Sequence, residues 1–268
     1  PDGSIITDEL GEATRFTVPG SQWRIAGHDS TQYGSRLLLT FLPDRKFPFP
    51  KSLYAVEDAL RFFLHDKKDG LVVDFFAGSG TTAHAVMRLN RQDGGRRFSI
   101  SITNNEVSAD EQIGLRRAGL RPGDSEWEAL GICDYITKPR IRAAVSGLTP
   151  AGDPIKGDYK FTDEFPMADG FEENVEFFTL SYQSPWRVAR NRDFTAIAPL
   201  LWLRAGSFGR RIDTLPVEGW DVADAYGVLV NLDAAKDFSR AVAVAQGLAL
   251  VFVVTDDDRR FQMVCRSE

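Results

Sequence analysis

The sequence predicts an α/β protein in two parts, and three observations lead there. Residues 71–76 form a short, almost wholly apolar run that ends in a glycine turn. A helical pattern from Thr81 and a second strand-like run at 98–103 follow, the order of a right-handed βαβ unit in a parallel sheet. Beyond residue 165, strand-like and helical runs alternate again, which predicts a second, smaller α/β unit. Hydrophobic residues make up 43% of the 268, enough for a core and too many for wholesale disorder.

Residues 1–44 carry one apolar cluster, Leu37-Leu38-Leu39, and no clear core of their own; they are expected to be the end of an upstream segment. Pro43, Pro48 and Pro50 interrupt the chain before a helix that starts near Ser52. Its apolar positions Leu53, Val56, Leu60, Phe63 and Leu64 recur close to every 3.6 residues, and Gly70 ends it. The run 71–76 is expected to be a fully buried strand. The next helix, 81–90, sets Ala83, Val86 and Leu89 on one face, and Asp93-Gly94-Gly95 turns the chain into the second strand. Residues 45–146 therefore form the first folded part. Residues 147–165, which hold Gly147, Pro150, Pro154 and Gly157, are expected to be a linker. The last part, 166–268, should contain strands at 175–180, 226–230 and 248–255, with helices at 194–204 and 234–245.

Charge is unevenly spread. Residues 1–160 carry 21 acidic and 21 basic side chains, whereas residues 161–268 carry 17 against 11, so the whole excess of −6 lies toward the C-terminus. A surface that grips a phosphate backbone should be basic, which argues against the C-terminal part as the main DNA-holding surface. Cys133 and Cys265 lie far apart without metal-ligand spacing, as expected of reduced thiols in a cytoplasmic protein. No apolar stretch approaches the ~20 residues of a membrane span. The chain opens on Pro1-Asp2-Gly3-Ser4 rather than methionine, as an excised fragment or processed product would.

The turn Asp74-Phe75-Phe76-Ala77-Gly78-Ser79-Gly80-Thr81-Thr82 carries the most chemical information. Gly78 and Gly80 allow a tight turn and close approach of a ligand to the backbone, and the helix behind it offers free N–H groups. A phosphate-binding loop of the ATP type requires lysine where Thr81 stands. A dinucleotide fingerprint, G-x-G-x-x-A, fits residues 78–83, with Glu106 placed to hold a ribose. Asp74, however, would set a carboxylate against the pyrophosphate. The same acid suits a ligand with positive groups. S-adenosylmethionine carries an ammonium, a sulfonium and a carboxylate, so an acid beside a helix N-terminus complements both signs.

This turn resembles the cofactor motif of the β-class, circularly permuted N6-adenine and N4-cytosine DNA methyltransferases, above all the Mod subunits of type III restriction-modification systems. Phe47-Pro48-Phe49-Pro50-Lys51-Ser52 resembles the motif that precedes it in that class, and residues 90–98 with Asn104-Asn105-Glu106 resemble the segment that follows. The resemblance spans residues 33–145. It implies an incomplete Rossmann-like S-adenosylmethionine-dependent methyltransferase domain at 45–146, followed by the smaller α/β domain. It also implies cofactor-binding roles for the whole run Asp74, Phe75, Phe76, Ala77, Gly78, Ser79, Gly80, Thr81 and Thr82. Asp74 would neutralise the methionine end, Lys51 and Ser52 would close over that end, and Glu106 would hold the ribose. DNA is the implied partner, adenine N6 in preference to cytosine N4, together with a restriction or helicase subunit.

The family's catalytic tetrapeptide, (Asp/Asn/Ser)-Pro-Pro-(Tyr/Phe/Trp), is absent from the 268 residues. Ser184-Pro185-Trp186 comes nearest but lacks the second proline and follows the cofactor motif instead of preceding it. The class order implies a catalytic segment upstream of Pro1, in cis or in trans, and a recognition segment ending within residues 1–44, where Trp23 and Arg24 are candidates for DNA contact. No catalytic residue and no metal site is assigned. His28, His65 and His84 lack metal spacing, and His84 reads as a packing or surface residue. Arg96 and Arg97 read as a solvated turn, Asp256-Asp257-Asp258 as a helix cap, and residues 196–203 as a buried helix kinked at Pro199. Two other functions remain open on sequence: a nicotinamide-dependent oxidoreductase, and a non-catalytic cofactor-binding or scaffolding subunit of a defence complex.

Overall fold

The computed structural model describes residues 6–7, 13–14, 22–189 and 193–267. Pro1-Asp2-Gly3-Ser4 and the side chain of Cys265 lie outside the described residues. The elements are mixed α and β, as expected, and they gather into two compact units, Pro1–Glu176 and Phe177–Glu268.

In the first unit, strands β1 (Ile6–Thr7) and β2 (Ala13–Thr14) pair antiparallel. A π-helical turn, Thr31–Arg36, then leads into helix α1 (Leu37–Phe41). Leu37, Leu38, Phe41 and Leu42 are buried in the core, while Leu39 of the same apolar cluster is 39% exposed. Gly34 makes this possible, because a Cβ there would collide with the Pro50 carbonyl.

Helix α2 (Leu53–Leu64) begins at Ser52, whose Oγ accepts from the Ala55 N–H at 3.4 Å. Its buried face runs through Leu53, Tyr54, Glu57 and Leu64, while Phe63 stands 73% exposed. The expected apolar stripe is rotated because Glu57 enters the core to meet Arg88 on helix α3 (Thr81–Asp93), against which α2 packs. Helix α3 is buried on every side, from Thr81 to Asn90, and ends at Gly94 in the left-handed conformation (φ 65°).

Strand β3 (Leu71–Asp74) pairs parallel with strand β4 (Phe98–Ser101), Leu71 opposite Phe98 and Asp74 opposite Ser101. The βαβ order is therefore present, but the full burial of β3 is not. Leu71 is 59% and Val73 42% exposed, since among the described residues β3 has one partner strand and the pair is not covered on both faces as parallel sheets usually are.

Helices α4 (Ala109–Arg117), α5 (Ser125–Glu128) and α6 (Lys138–Ser146) complete the helical part of this unit. The expected linker 147–165 is not a linker. Ile155, Tyr159 and Phe165 are buried; Tyr159 and Phe171 pack on His84, and Tyr159, Phe165 and Phe171 pack on one another, with ring centroids 4.6–5.7 Å apart. The aromatic content of 159–171 outweighs the Gly/Pro punctuation before it. Arg97 is likewise buried, donating to Asp93 and to the Leu64 carbonyl rather than to solvent.

The second unit opens with helix α7 (Pro185–Ala189) and helix α8 (Phe194–Arg204). Its sheet runs β5 (Trp220–Val222), β6 (Tyr226–Leu229) and β7 (Leu250–Val253), antiparallel then parallel, with β6 in the middle and fully buried. Tyr226 and Val228 face a core with Phe194 and Ala198 of α8. Leu229 faces a second core with Ala235 and Phe238 of helix α9 (Ala235–Val244), joined by Phe261 of helix α10 (Asp258–Ser267). The two-residue period of β6 thus serves both faces. Two expectations fail here. Residues 175–180 form no strand, having no ladder partner among the described residues. Helix α8 buries one face only, with Leu200 and Leu203 exposed around Pro199. Asp257 Oδ1 accepts from the Arg260 N–H at 2.9 Å, which makes the acidic run a helix cap.

Candidate functional site

The turn between β3 and α3 continues the sheet before it leaves it. Ile102 N–H donates to the Asp74 carbonyl at 2.7 Å and Ala77 N–H to the Ile102 carbonyl at 3.1 Å. Gly80 N–H then closes a turn on the Ala77 carbonyl at 2.7 Å. Gly78 (φ 51°) and Gly80 (φ 75°) are left-handed, which explains why the turn needs glycine at both places. No side chain caps α3, so its first-turn N–H groups remain without partners from the helix.

Asp74 braces this turn. Its Oδ1 accepts from the Phe76 N–H at 3.0 Å and its Oδ2 from the Thr82 hydroxyl at 2.6 Å. A carboxylate has about four acceptor sites, so these two bonds leave acceptor capacity for a ligand. Phe75 and Phe76 are exposed at 65% and 92%, and Ala77, Ser79, Gly80 and Thr81 are buried.

The segment before α2 reaches the turn through Phe47, whose ring would lie 3.6 Å from a Cβ at Gly78. Lys51 is exposed, as is Phe49, which takes a left-handed φ of 54°. The Ser52 hydroxyl is 2% exposed and donates to the Gly27 carbonyl at 2.7 Å, so its visible work is to anchor the start of α2. Beyond β4, Asn105 is fixed by four contacts: its Nδ2 donates to the Glu128 carbonyl (2.8 Å) and carboxylate (2.9 Å) and to Asp134 Oδ2 (3.4 Å), and its Oδ1 accepts from Asp134 N–H at 3.1 Å. Glu106 follows as an exposed carboxylate just past the end of β4, the strand that runs beside β3.

Helix α6 and Thr137, its N-cap residue, supply partners that sequence reasoning missed. Thr137 Oγ1 donates to the Gly78 carbonyl at 2.6 Å, and Arg140 Nη1 lies 2.8 Å from Thr81 Oγ1 and 3.0 Å from Ser79 Oγ. Behind them, His84 is wholly buried with Nε2 2.7 Å from the Tyr159 hydroxyl. Burial first, then the nearby Arg140 and Arg88 charges, hold its pKa well below 6.5, so it is a neutral packing histidine. Nothing local in the sequence marks Arg140, an arginine in the first turn of a helix of mixed polarity.

Trp23 stacks on Phe62 at 4.9 Å and lines an open cleft of about 620 Å³ with Ile25, His28 and Tyr33. Ser184-Pro185-Trp186 opens helix α7 of the second unit. Among the described residues, no group of three or more His, Cys, Asp or Glu is placed to hold a metal ion, and no helix is long and apolar enough to cross a membrane.

Residues 9–117 match the DNA methylase family. The chain is 40% identical over 222 residues to the Mod subunit of the type III restriction-modification enzyme StyLTI from Salmonella typhimurium, covering 78% of this chain and 32% of that protein. It is 44% identical over 78 residues to the EcoPI Mod subunit of Escherichia phage P1 (29% and 12% covered). It is also 38% identical over 101 residues to the type II methyltransferase M.KpnI of Klebsiella pneumoniae (37% and 24%). The chain spans about a third or less of the length of these relatives. Over most of its length, then, the chain is similar to the Mod subunit of StyLTI, and over shorter stretches to the EcoPI Mod subunit and M.KpnI, the kind of likeness its motifs implied.

Proposed function

We propose that the chain carries the S-adenosylmethionine-binding part of a site-specific DNA adenine-N6 methyltransferase from a restriction-modification or phage-defence system. The observation that carries this reading is the uncapped α3 N-terminus behind a left-handed glycine turn, with the Asp74 carboxylate at its base and Glu106 beyond the neighbouring strand. These residues fit the cofactor: donors for its carboxylate, an acid for its ammonium and another for its ribose hydroxyls. Bound there, S-adenosylmethionine supplies a methyl group activated on a sulfonium. The chain's own contribution is to hold the turn rigid, with Asp74 tying the two sides of the loop and α6 supporting it from behind. Lys51 and the exposed Phe75 and Phe76 are the side chains free to close over a ligand. On this reading residues 45–146 belong to an incomplete Rossmann-like domain. DNA is the substrate, a restriction or helicase subunit is the partner, and the setting is cytoplasmic.

Orientation of the target base requires the proline-constrained tetrapeptide, which these 268 residues do not contain. Its loss removes a positioning contribution worth ~7–11 kcal/mol. Incubation of the chain with tritiated S-adenosylmethionine and mixed-sequence DNA should therefore give no incorporation above background, and activity should appear when an upstream catalytic segment is added. Sequence-specific incorporation by the chain alone would contradict this, with Ser184-Pro185-Trp186 the first place to mutate. The same missing motif favours a second reading, a cofactor-binding or scaffolding subunit without catalysis. That reading predicts no activity even with the upstream segment.

A further inference from the structure

We infer that Arg140 is the positioning residue of the glycine turn, fixing Ser79 and Thr81 from behind and setting a positive charge beneath the site. This deepens the cofactor-binding reading and rests on it. Arg140 is 1% exposed, and its Nη1 lies within reach of the Ser79 carbonyl (3.2 Å), Ser79 Oγ (3.0 Å) and Thr81 Oγ1 (2.8 Å). Its Nε and Nη2 are buried and find no hydrogen-bond partner among the described residues, and no carboxylate there pairs with it. Burial draws its pKa down to about 10, which leaves it charged at neutral pH.

An unpaired buried cation is costly to desolvate. What Arg140 provides here, and an apolar side chain would not, is donors. Ser79 Oγ and Thr81 Oγ1 both accept from Nη1 and lie 3.1 Å from each other, so one hydroxyl proton is used between them. The other is directed away from the guanidinium. The orientation of both hydroxyls is thus set by Arg140 rather than by solvent. The unneutralised charge adds to the positive end of α3 and favours an anionic ligand group at the turn.

The same helix face makes two further contacts. Thr137 holds the Gly78 carbonyl, and Ile141 would stand 3.3 Å from any Cβ at Gly80. Thr137, Arg140 and Ile141 are spaced i, i+3 and i+4, so the N-cap and first turn of α6 together meet the turn at each of its two glycines and at the residues between and after them.

The test uses the 268-residue chain with Arg140→Met and Arg140→Lys, read by calorimetry with S-adenosylmethionine and by amide hydrogen exchange. Arg140→Met should raise Kd at least tenfold and speed exchange at residues 78–82, with α2 and the second unit unchanged. Arg140→Lys should restore part of both. If Arg140→Met does not fold, Ser79→Ala with Thr81→Val removes the two hydroxyl acceptors, leaves only the Ser79 carbonyl, and should loosen the same amides. Unchanged exchange at the turn, or acceleration spread evenly through the first unit, would overturn the positioning role. If the unaltered chain binds no S-adenosylmethionine, the proposed function fails, and the exchange comparison still decides the role of Arg140.

Discussion

Glu57 accepts from Arg88 Nε at 2.6 Å, from Arg61 Nη2 at 2.6 Å and from Gln92 Nε2 at 2.7 Å, while Arg88 itself is wholly buried. Removing one member of a buried pair strands the other charge, so Glu57→Ala should cost ~3–5 kcal/mol in urea denaturation. A loss below ~1 kcal/mol would show that Arg88 finds other partners. Asp74 is a carboxylate in a different setting, half-buried and shared between the turn and the proposed ligand. Asp74→Ala should weaken S-adenosylmethionine binding by ~1–3 kcal/mol, the cost of a lost charged hydrogen-bond partner. Binding unchanged by calorimetry would reassign Asp74 to loop bracing alone. Ser52, Gly78, Gly80 and Gly94 were legible in the sequence because a cap or a left-handed residue depends on its immediate neighbours. Arg140 and the His84–Tyr159 contact were not, since their partners lie 59–75 residues away.

At the level of elements, helix α3 shows the limit of reading one face. Ala83, Val86 and Leu89 are buried as the spacing implies, but so are His84, Arg88 and Asn90, because α2, β4, α6 and the 159–171 segment enclose the helix. Polar residues on a helix ordinarily mark its solvent side; here each is matched by a distant partner that composition does not reveal. Phe63 is the converse case, an apolar residue left outside when Glu57 turned inward. Enclosure has a pH signature. Above pH 6.5 His84 is neutral folded and unfolded; below it the unfolded chain takes up a proton that the buried ring refuses. Stability present above pH 6.5 should therefore fall as the pH drops toward the depressed folded value, by up to ~1.4 kcal/mol per unit. Urea denaturation between pH 7.5 and 5.5 should show a shallower slope for His84→Gln than for the unaltered chain. Equal slopes would mean that His84 protonates in place.

For the whole molecule, the boundary at Glu176 redraws the charge map. All six charged residues of 161–176 are acidic and pack with the first unit, which leaves the second with 11 acidic and 11 basic side chains. Arg187, Arg210, Arg211, Arg240 and Arg260 are each paired with an aspartate. A balanced, paired surface releases few counterions, so residues 177–268 should give no gel shift with duplex DNA at physiological salt. A salt-sensitive complex would contradict that. The mixed α/β character was legible from alternating runs, but the boundary between the two compact units was not, because an aromatic cluster and a Gly/Pro-rich stretch sit side by side and only packing shows which prevails.

The central claim is that the glycine turn of the first unit takes S-adenosylmethionine, and calorimetry of the chain with that cofactor and with NAD tests it most directly. The account predicts measurable binding of S-adenosylmethionine or its demethylated product, lost or weakened in Asp74→Ala, and none of NAD. Tighter binding of NAD than of S-adenosylmethionine would contradict it.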